Sequence, residues 1–431
     1  MRLLLKNGRI IDPARGIDKV ADLLIEDGKV SRVGKVDGKK LDNCAAYDVS
    51  GLVVTPGLID MHVHMREPGQ EHKETIETAA LAAAAGGFTT ILGMPNTLPA
   101  IDNRATVEYV LNKGRQAAVH VLTCGAATKA NEGAEMAEIG DMVSAGAVAI
   151  SDDAFPVQSA DLMRMVMQYS KMFDVPVIAH CEDKTMTRDA VMNEGITCTI
   201  LGLRPWPRQA EEIMIVRNIM LCELTGCRLH IQHVTTAGGV DLVRQAKAKG
   251  LPITAETCPQ YFSLTDEALN DYDSNAKCCP PLRTPSDVDA IKQGLADGTI
   301  DVIATDHAPH ALEEKEVEIP YAPFGMIGLE TALPLVITNL VKTNVLSLAD
   351  AVAKLTVAPA KVLGLESGTL AIGSVADVTI IDPDAGVTVD ASQMKSLARN
   401  TPFDGARLMG KAVATIVVGD IKCGELKLLN H

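Results

Sequence analysis

Aromatic side chains are scarce in this chain: one Trp, six Tyr and six Phe among 431 residues. Any core must therefore be built from Ala, Val, Leu, Ile and Met, and a 47% hydrophobic content is enough to build one. With 22% charged residues the balance is that of a globular chain and excludes disorder. Cys-x-x-Cys pairs are absent, so the ten Cys do not read as a disulfide scaffold. We read them as small buried hydrophobes of a reducing, cytoplasmic compartment. No apolar run approaches the roughly 20 residues of a membrane span. The first one, Leu3 to Leu5, is too short for a secretory leader. Basic residues are in deficit, 40 Lys+Arg against 55 Asp+Glu, a net charge of −15. That argues against nucleic acid and anionic membrane and leaves a small molecule as the expected partner.

Both ends of the chain have the texture of short strands with tight turns. Leu3-Leu4-Leu5-Lys6 runs into Asn7-Gly8 and then Arg9-Ile10-Ile11, and Asp22 to Ile25 runs into Glu26-Asp27-Gly28. Asn-Gly and Asp-Gly between apolar runs predict hairpins. Near the other end, 376–381 and 414–418 are strand-like, punctuated by Asp384-Ala385-Gly386 and Gly419-Asp420. Between the ends, short β-branched runs at 57–63, 88–94, 118–124, 147–151, 176–179, 228–232, 252–255 and 301–305 alternate with helical patterns such as 75–85, 160–173, 211–224 and 240–249. Eight βα units over roughly 250 residues are the arithmetic of an α/β fold of the (β/α)8 TIM-barrel type. An open doubly wound sheet would show a Gly-rich loop after its first strand. Here that strand ends in Asp60-Met61-His62-Val63-His64.

Barrel enzymes carry their reactive groups at the C-terminal ends of the strands. The first strand ends in His62-Val63-His64, the fourth in Asp152-Asp153, the fifth in His180, the sixth in His233 and the eighth in Asp306-His307. His-x-His on a strand aims both imidazoles at one face. With His180, His233, Asp153 and Asp306 they make a mixed nitrogen and oxygen ligand set suited to zinc or a similar divalent ion. Six protein ligands exceed the need of one ion and fit a two-metal site with a shared carboxylate. A lone His at a strand end is usually only a hydrogen-bonded polar residue; the convergence of the whole set is what argues for metal. His72, His120, His230 and His431 fit no such position and read as structural or surface residues.

The run Pro56-Gly57-Leu58-Ile59-Asp60-Met61-His62-Val63-His64 resembles the opening of the cyclic amidohydrolases: dihydroorotases, hydantoinases and allantoinases. Met65-Arg66-Glu67-Pro68-Gly69, Gly93-Met94-Pro95-Asn96-Thr97, Ser151-Asp152-Asp153, 304–310 and Asn400-Thr401-Pro402-Phe403 resemble the dihydroorotase branch, in its long bacterial type. The resemblance covers essentially the whole chain. It implies a β-sandwich made from residues 1–53 and 363–431 around a barrel of residues 54–362. It also implies zinc, one or two ions per chain, with two bridged by Asp153 where many relatives use a carboxylated lysine. His62, His64 and Asp306 would hold one ion and His180 and His233 the other, with Asp306 also the proton carrier. The activity implied is the reversible interconversion of N-carbamoyl-L-aspartate and dihydroorotate in pyrimidine biosynthesis.

For substrate, the resemblance singles out His64, Arg66, Asn96, His310, Phe324 and Gly325. Arg66 is the discriminator, since a guanidinium can grip the ring carboxylate of dihydroorotate through two parallel hydrogen bonds. Such a local cationic cluster can override the global charge within a Debye length of about 8 Å. The run from Glu313 to Glu318 reads as a charged, mobile loop over the site. One departure is Lys277-Cys278-Cys279-Pro280-Pro281, where Cys279 replaces the usual Asn and resembles allantoinases instead. Two rival readings follow: the same chemistry on a ring without a carboxylate, or an inactive partner of aspartate carbamoyltransferase, against which the complete ligand set argues. A homodimer is expected from the family, and association with that transferase, with activity retained, stays open.

Overall fold

A computed structural model describes residues 2–38 and 41–429 of the chain; His431 lies outside them. Eight parallel strands are hydrogen-bonded side by side in chain order: Leu58–Val63, Phe88–Gly93, His120–Ala126, Ala149–Ser151, Val177–Ala179, Leu229–Ile231, Ile253–Thr257 and Val302–Ile303. We number them barrel strands one to eight. The ends of the row meet. Val63 bridges His307, and the N–H of His64 donates to the carbonyl of His307 at 2.9 Å. At the same seam the Asp60 carboxylate accepts from the N–H (3.1 Å) and hydroxyl (2.5 Å) of Thr305. The result is the TIM barrel that the alternating pattern predicts.

Local sequence sets the helices between the strands. Thr75 caps Ile76–Gly86 through a reciprocal bond with Thr78, and six alanines supply helix propensity and a thin profile that lies close to the barrel wall. The helix stops at Gly87, whose φ of 95° only glycine adopts without cost, and a Cβ there would stand 2.9 Å from the Thr379 side chain. Small and flexible side chains replace the missing aromatics inside. Met61, Leu92, Met94, Cys124, Ala149, Ile178, Val302 and Ala304 pack as one cluster against Val362 and Leu363 of the helix Val357–Leu363. That helix sits where the strands begin, leaving the opposite end of the barrel for the histidines.

Strands from both chain ends form a nine-stranded sheet beside the barrel. Its main path runs Asp420–Gly424, Arg407–Val417, Val378–Thr388, Val53–Pro56, Arg2–Asp12, Ile17–Glu26 and Lys29–Gly34. Leu3, Ile25, Val54, Val378 and Ile416 share one buried cluster, so the two halves of the sheet face each other across apolar side chains. Asp27-Gly28 turns a hairpin as expected, with φ of 49° and 75°. Asn7-Gly8 does not. Strand Arg2–Asp12 runs straight through it, pairing with Cys44–Asp48 before the dipeptide and with Val53–Pro56 after it. Asn7, at φ 64°, is a bulge where the strand changes partners. Asp384-Ala385-Gly386 likewise lies within a strand, at a register shift. The sheet is fastened to the barrel by Thr379, whose hydroxyl donates to the Gly87 carbonyl (2.6 Å), and by Thr415, which donates to the Ala84 carbonyl (2.6 Å).

Candidate active site

Asp153, not its neighbour Asp152, faces the histidines. Its Oδ1 lies 3.2 Å from Nδ1 of His180 and 3.7 Å from Nε2 of His233, and its Oδ2 lies 3.4 Å from Nε2 of His64 and 3.6 Å from Nε2 of His62. Asp152 instead serves the backbone, accepting from the N–H groups of His180 (3.0 Å) and Val157 (2.8 Å). Oδ1 of Asp306 lies 3.1 Å from Nε2 of His64 and 3.3 Å from Nε2 of His62. The structure thus brings all six residues of the expected ligand set to one end of the barrel.

Neutral hydrogen bonding does not account for this cluster. All six side chains are buried, and Oδ2 of Asp153 has no hydrogen-bond partner among the described residues. Nδ1 of His180 and Nε2 of His233 point at each other across 2.8 Å. Burial alone would raise the Asp153 carboxyl, but the imidazoles outweigh it and hold the group well below its ordinary range. Burial would likewise suppress a proton on His62, yet Asp306, Glu256 and Asp153 draw one on. A field of carboxylates that strong is the field a divalent cation satisfies. The donors fall into two sets around Asp153: His62 and His64 on one side, His180 and His233 on the other. These residues fit the metal implied by the ligand pattern.

Each of three histidines has its outer nitrogen occupied, which leaves the inner one to face the cluster and to act as a ligand when a cation replaces its proton. Nδ1 of His62 donates to Oε1 of Glu256 (2.6 Å), Nδ1 of His64 to Oδ1 of Asn96 (2.8 Å), and Nε2 of His180 to Oε2 of Glu182 (3.0 Å). Such partners set the tautomer and ring orientation of metal-ligating histidines. Glu256 and Glu182 are held near pKa 2, because their histidines outweigh the cost of burial. His230 is structural, as expected: it is buried and bonds Glu256 (3.2 Å) and Thr254 (2.8 Å).

Arg66 is buried beside this centre. Its Nε donates to the Pro309 carbonyl (3.0 Å), Nη2 stands 3.3 Å from Nε2 of His310, and Nη1 has no partner among the described residues. Burial lowers its pKa to about 10, which leaves it charged at neutral pH. Burial and the Arg66 charge together push His310 down, so its ring is neutral, and Nε2 donates to the Phe324 carbonyl (2.8 Å). Gly325, at φ 131°, lies so close to Ala308 and His310 that a Cβ would clash at 2.7 Å with the former. Arg66, His233 and Asp306 also have left-handed φ values (62°, 29° and 49°). Three non-glycine residues in that region at one site are strain of the kind that clusters where geometry matters.

The comparisons with known proteins agree with this geometry. Residues 51–238 match the family described as dihydro-orotase-like, and residues 328–421 match the amidohydrolase family. A dihydroorotase of Pelotomaculum thermopropionicum is 52% identical over 421 residues, 98% of each chain. A dihydroorotase of Acetivibrio thermocellus is 48% identical over 428 residues, 99% of this chain and 100% of that one. This chain belongs to the dihydroorotase family. Among solved structures, an L-hydantoinase from Arthrobacter aurescens superposes with a TM-score of 0.88 at 30% identity, covering 99% of this chain and 97% of that one.

Other features of this dihydroorotase-family site differ from the sequence-based expectation or lie beyond it. Asn96 spends its carbonyl on His64 and keeps only its amide NH2 for a ligand. Cys279 lies behind His180, its sulfur 3.8 Å from Nε2 and 3.9 Å from Oε2 of Glu182, on the side away from Asp153. The charge run at 313–318 is not simply a solvated loop: Leu312–Lys315 is a helical turn and Lys315 is buried. Glu182 and Glu256 carry no spacing signal; the one available hint was a carboxylate inside the apolar run of strand seven. A cavity of about 680 Å³ opens at the other end of the barrel near Arg228, Asp301 and Lys361 and contains none of these residues.

Proposed function

We propose that this protein is a metal-dependent dihydroorotase that interconverts dihydroorotate and N-carbamoyl-L-aspartate. The observation that carries the substrate assignment is the buried, charged Arg66 with an open Nη1, next to six clustered histidines and carboxylates that could hold metal. His62, His64 and Asp306 would hold one divalent ion and His180 and His233 a second, with Asp153 between them, and zinc suits this donor set. Ions held there supply Lewis-acid polarisation of the amide carbonyl and activation of water at neutral pH. The guanidinium of Arg66 takes the ring carboxylate, and the amide NH2 of Asn96 is free for a second polar contact. His310 holds the backbone at Phe324 and Gly325 along one wall. In ring opening, water adds to the amide carbonyl and the carbon–nitrogen bond breaks. Asp306 accepts the proton released by the water and returns it to the leaving nitrogen.

A homodimer is the assembly we infer. Supporting it, the outward face of the helix Gln209–Thr225 exposes Ile213, Val216, Met220 and Leu224, an apolar stripe that a barrel helix facing water would not carry. A reducing cytoplasm suits ten cysteines that are all free. The deciding experiment is ring opening of dihydroorotate, allantoin and hydantoin with zinc present. Dihydroorotate should be turned over with the highest kcat/KM. A preference for a ring without a carboxylate, the alternative that Cys279 favours, would overturn the assignment.

A further inference from the structure

The segment 319–325 has no regular secondary structure, yet it forms the wall to which His310 bonds. Two lysines from elsewhere in the chain reach into it. Nζ of Lys277 donates to the carbonyls of Ile319 (2.7 Å), Pro320 (3.1 Å) and Ala322 (2.7 Å), which uses all three ammonium hydrogens. Nζ of Lys315 donates to the carbonyls of Pro323 (2.9 Å) and Gly325 (3.1 Å). Both residues are buried, at 3% and 4% exposure, and among the described residues neither makes an ion pair within 4 Å with a carboxylate. Five carbonyl dipoles take the place of a counterion. Burying an ammonium without such partners is expensive, so the segment and the lysines hold each other in one geometry. The same Lys277 Nζ stands 4.4 Å from the Phe324 ring centre, and the N–H of Gly325 donates back to the Lys277 carbonyl at 2.9 Å.

We propose that Lys277 and Lys315 are positioning residues that staple segment 319–325 into the shape its active-site wall requires, acting through Phe324 and Gly325. This rests on the dihydroorotase reading for its kinetic consequence only. A covering segment left free must be ordered each time substrate binds, which weakens binding of ground state and transition state alike and appears in KM.

Hydrogen exchange on the wild-type protein, without substrate, is the first measurement. The amides of Tyr321, Ala322 and Gly325 are hydrogen-bonded within this arrangement and should be protected well above unstructured chain; exchange at the unstructured rate overturns the proposal whatever the enzyme acts on. Lys277→Met and Lys315→Met should then raise exchange in 319–325 at least tenfold while leaving the barrel strands and metal content unchanged. KM for dihydroorotate should rise about tenfold or more with kcat within about threefold. Tyr321→Ala, an exposed residue on the same segment, should change neither. Local exchange that is unmoved, or a loss spread evenly over the barrel, would show the lysines to be ordinary core residues. Absence of dihydroorotate turnover in the wild type would count against the substrate assignment and leave the exchange result to decide the staple.

Discussion

In the proposed reading Arg66 takes the ring carboxylate, so its removal is the sharpest test at a single residue. Hydrogen bonds to charged groups are worth about 1.5–3 kcal/mol, so Arg66→Met should lower kcat/KM for dihydroorotate by roughly 10- to 150-fold. Arg66→Lys should fall between, keeping charge but losing the fork. Activity on a ring without a carboxylate should barely change; equal losses on both rings would show that Arg66 only supports the fold. Glu256 works one bond further from the chemistry. Glu256→Gln offers Nδ1 of His62 a neutral partner that can present either end, so the ring is no longer fixed in one tautomer. Metal affinity should drop about 10- to 100-fold, read by titrating activity and bound metal together. Retained affinity would mean that packing alone orients His62. Cys279→Asn restores the residue common in the family. Because the sulfur lies behind His180 and not over Asp153, dihydroorotate turnover should stay equal or improve.

At the scale of an element, the seam between strands one and eight is where the barrel closes with least regular pairing. Strand eight is only Val302–Ile303, and the Asp60 carboxylate supplies three of the bonds there, to Thr305 and to the N–H of His62. Asp60→Ala strands two buried N–H donors and a hydroxyl, each costing about 1–3 kcal/mol if unsatisfied. We expect a loss of several kcal/mol in denaturant unfolding, with hydrogen exchange rising first at the ends of strands one and eight. An unfolding midpoint close to wild type would show that water replaces the carboxylate at no cost.

The whole molecule joins a barrel to a sheet made from its own two ends, and His120 sits on that joint. Its Nε2 meets Oδ2 of Asp377 at 3.0 Å, while Oδ1 of Asp377 accepts from the N–H of Val418. The hydrogen bond to Asp377 raises the His120 pKa above its ordinary value. A pKa higher in the folded than in the unfolded state means that the contribution is fully present below about 6.5 and is lost as pH rises through the folded value. The Tm difference between wild type and His120→Gln should therefore be largest near pH 6 and shrink toward pH 8. A difference independent of pH would leave the pair a packing contact. Chelation should lower Tm as well as activity, since an ion bound only by the folded state at 100 times its Kd contributes about 2.7 kcal/mol.

The barrel and the cluster of histidines and carboxylates at its C-terminal end could be read from the sequence. Eight alternating βα units admit few other topologies, and His62, His64, His180, His233 and Asp306 follow directly from the rule that chemistry sits at strand ends. Even Asp153 over Asp152 was legible, through spacing to His180 within a recognisable family pattern. Asn7-Gly8 misled because a dipeptide with left-handed propensity serves a bulge as well as a turn, and only the partner strands decide which. Glu182, Glu256, Lys277 and Lys315 were not legible as parts of the site. Their roles come from contacts between residues that are distant in sequence, such as Lys277 reaching Ile319 and Glu256 reaching His62. Local pattern encodes which way a strand's side chains point. Only the closed barrel decides which buried charge meets which partner, because the cost of leaving it unmet exists only once water has been excluded.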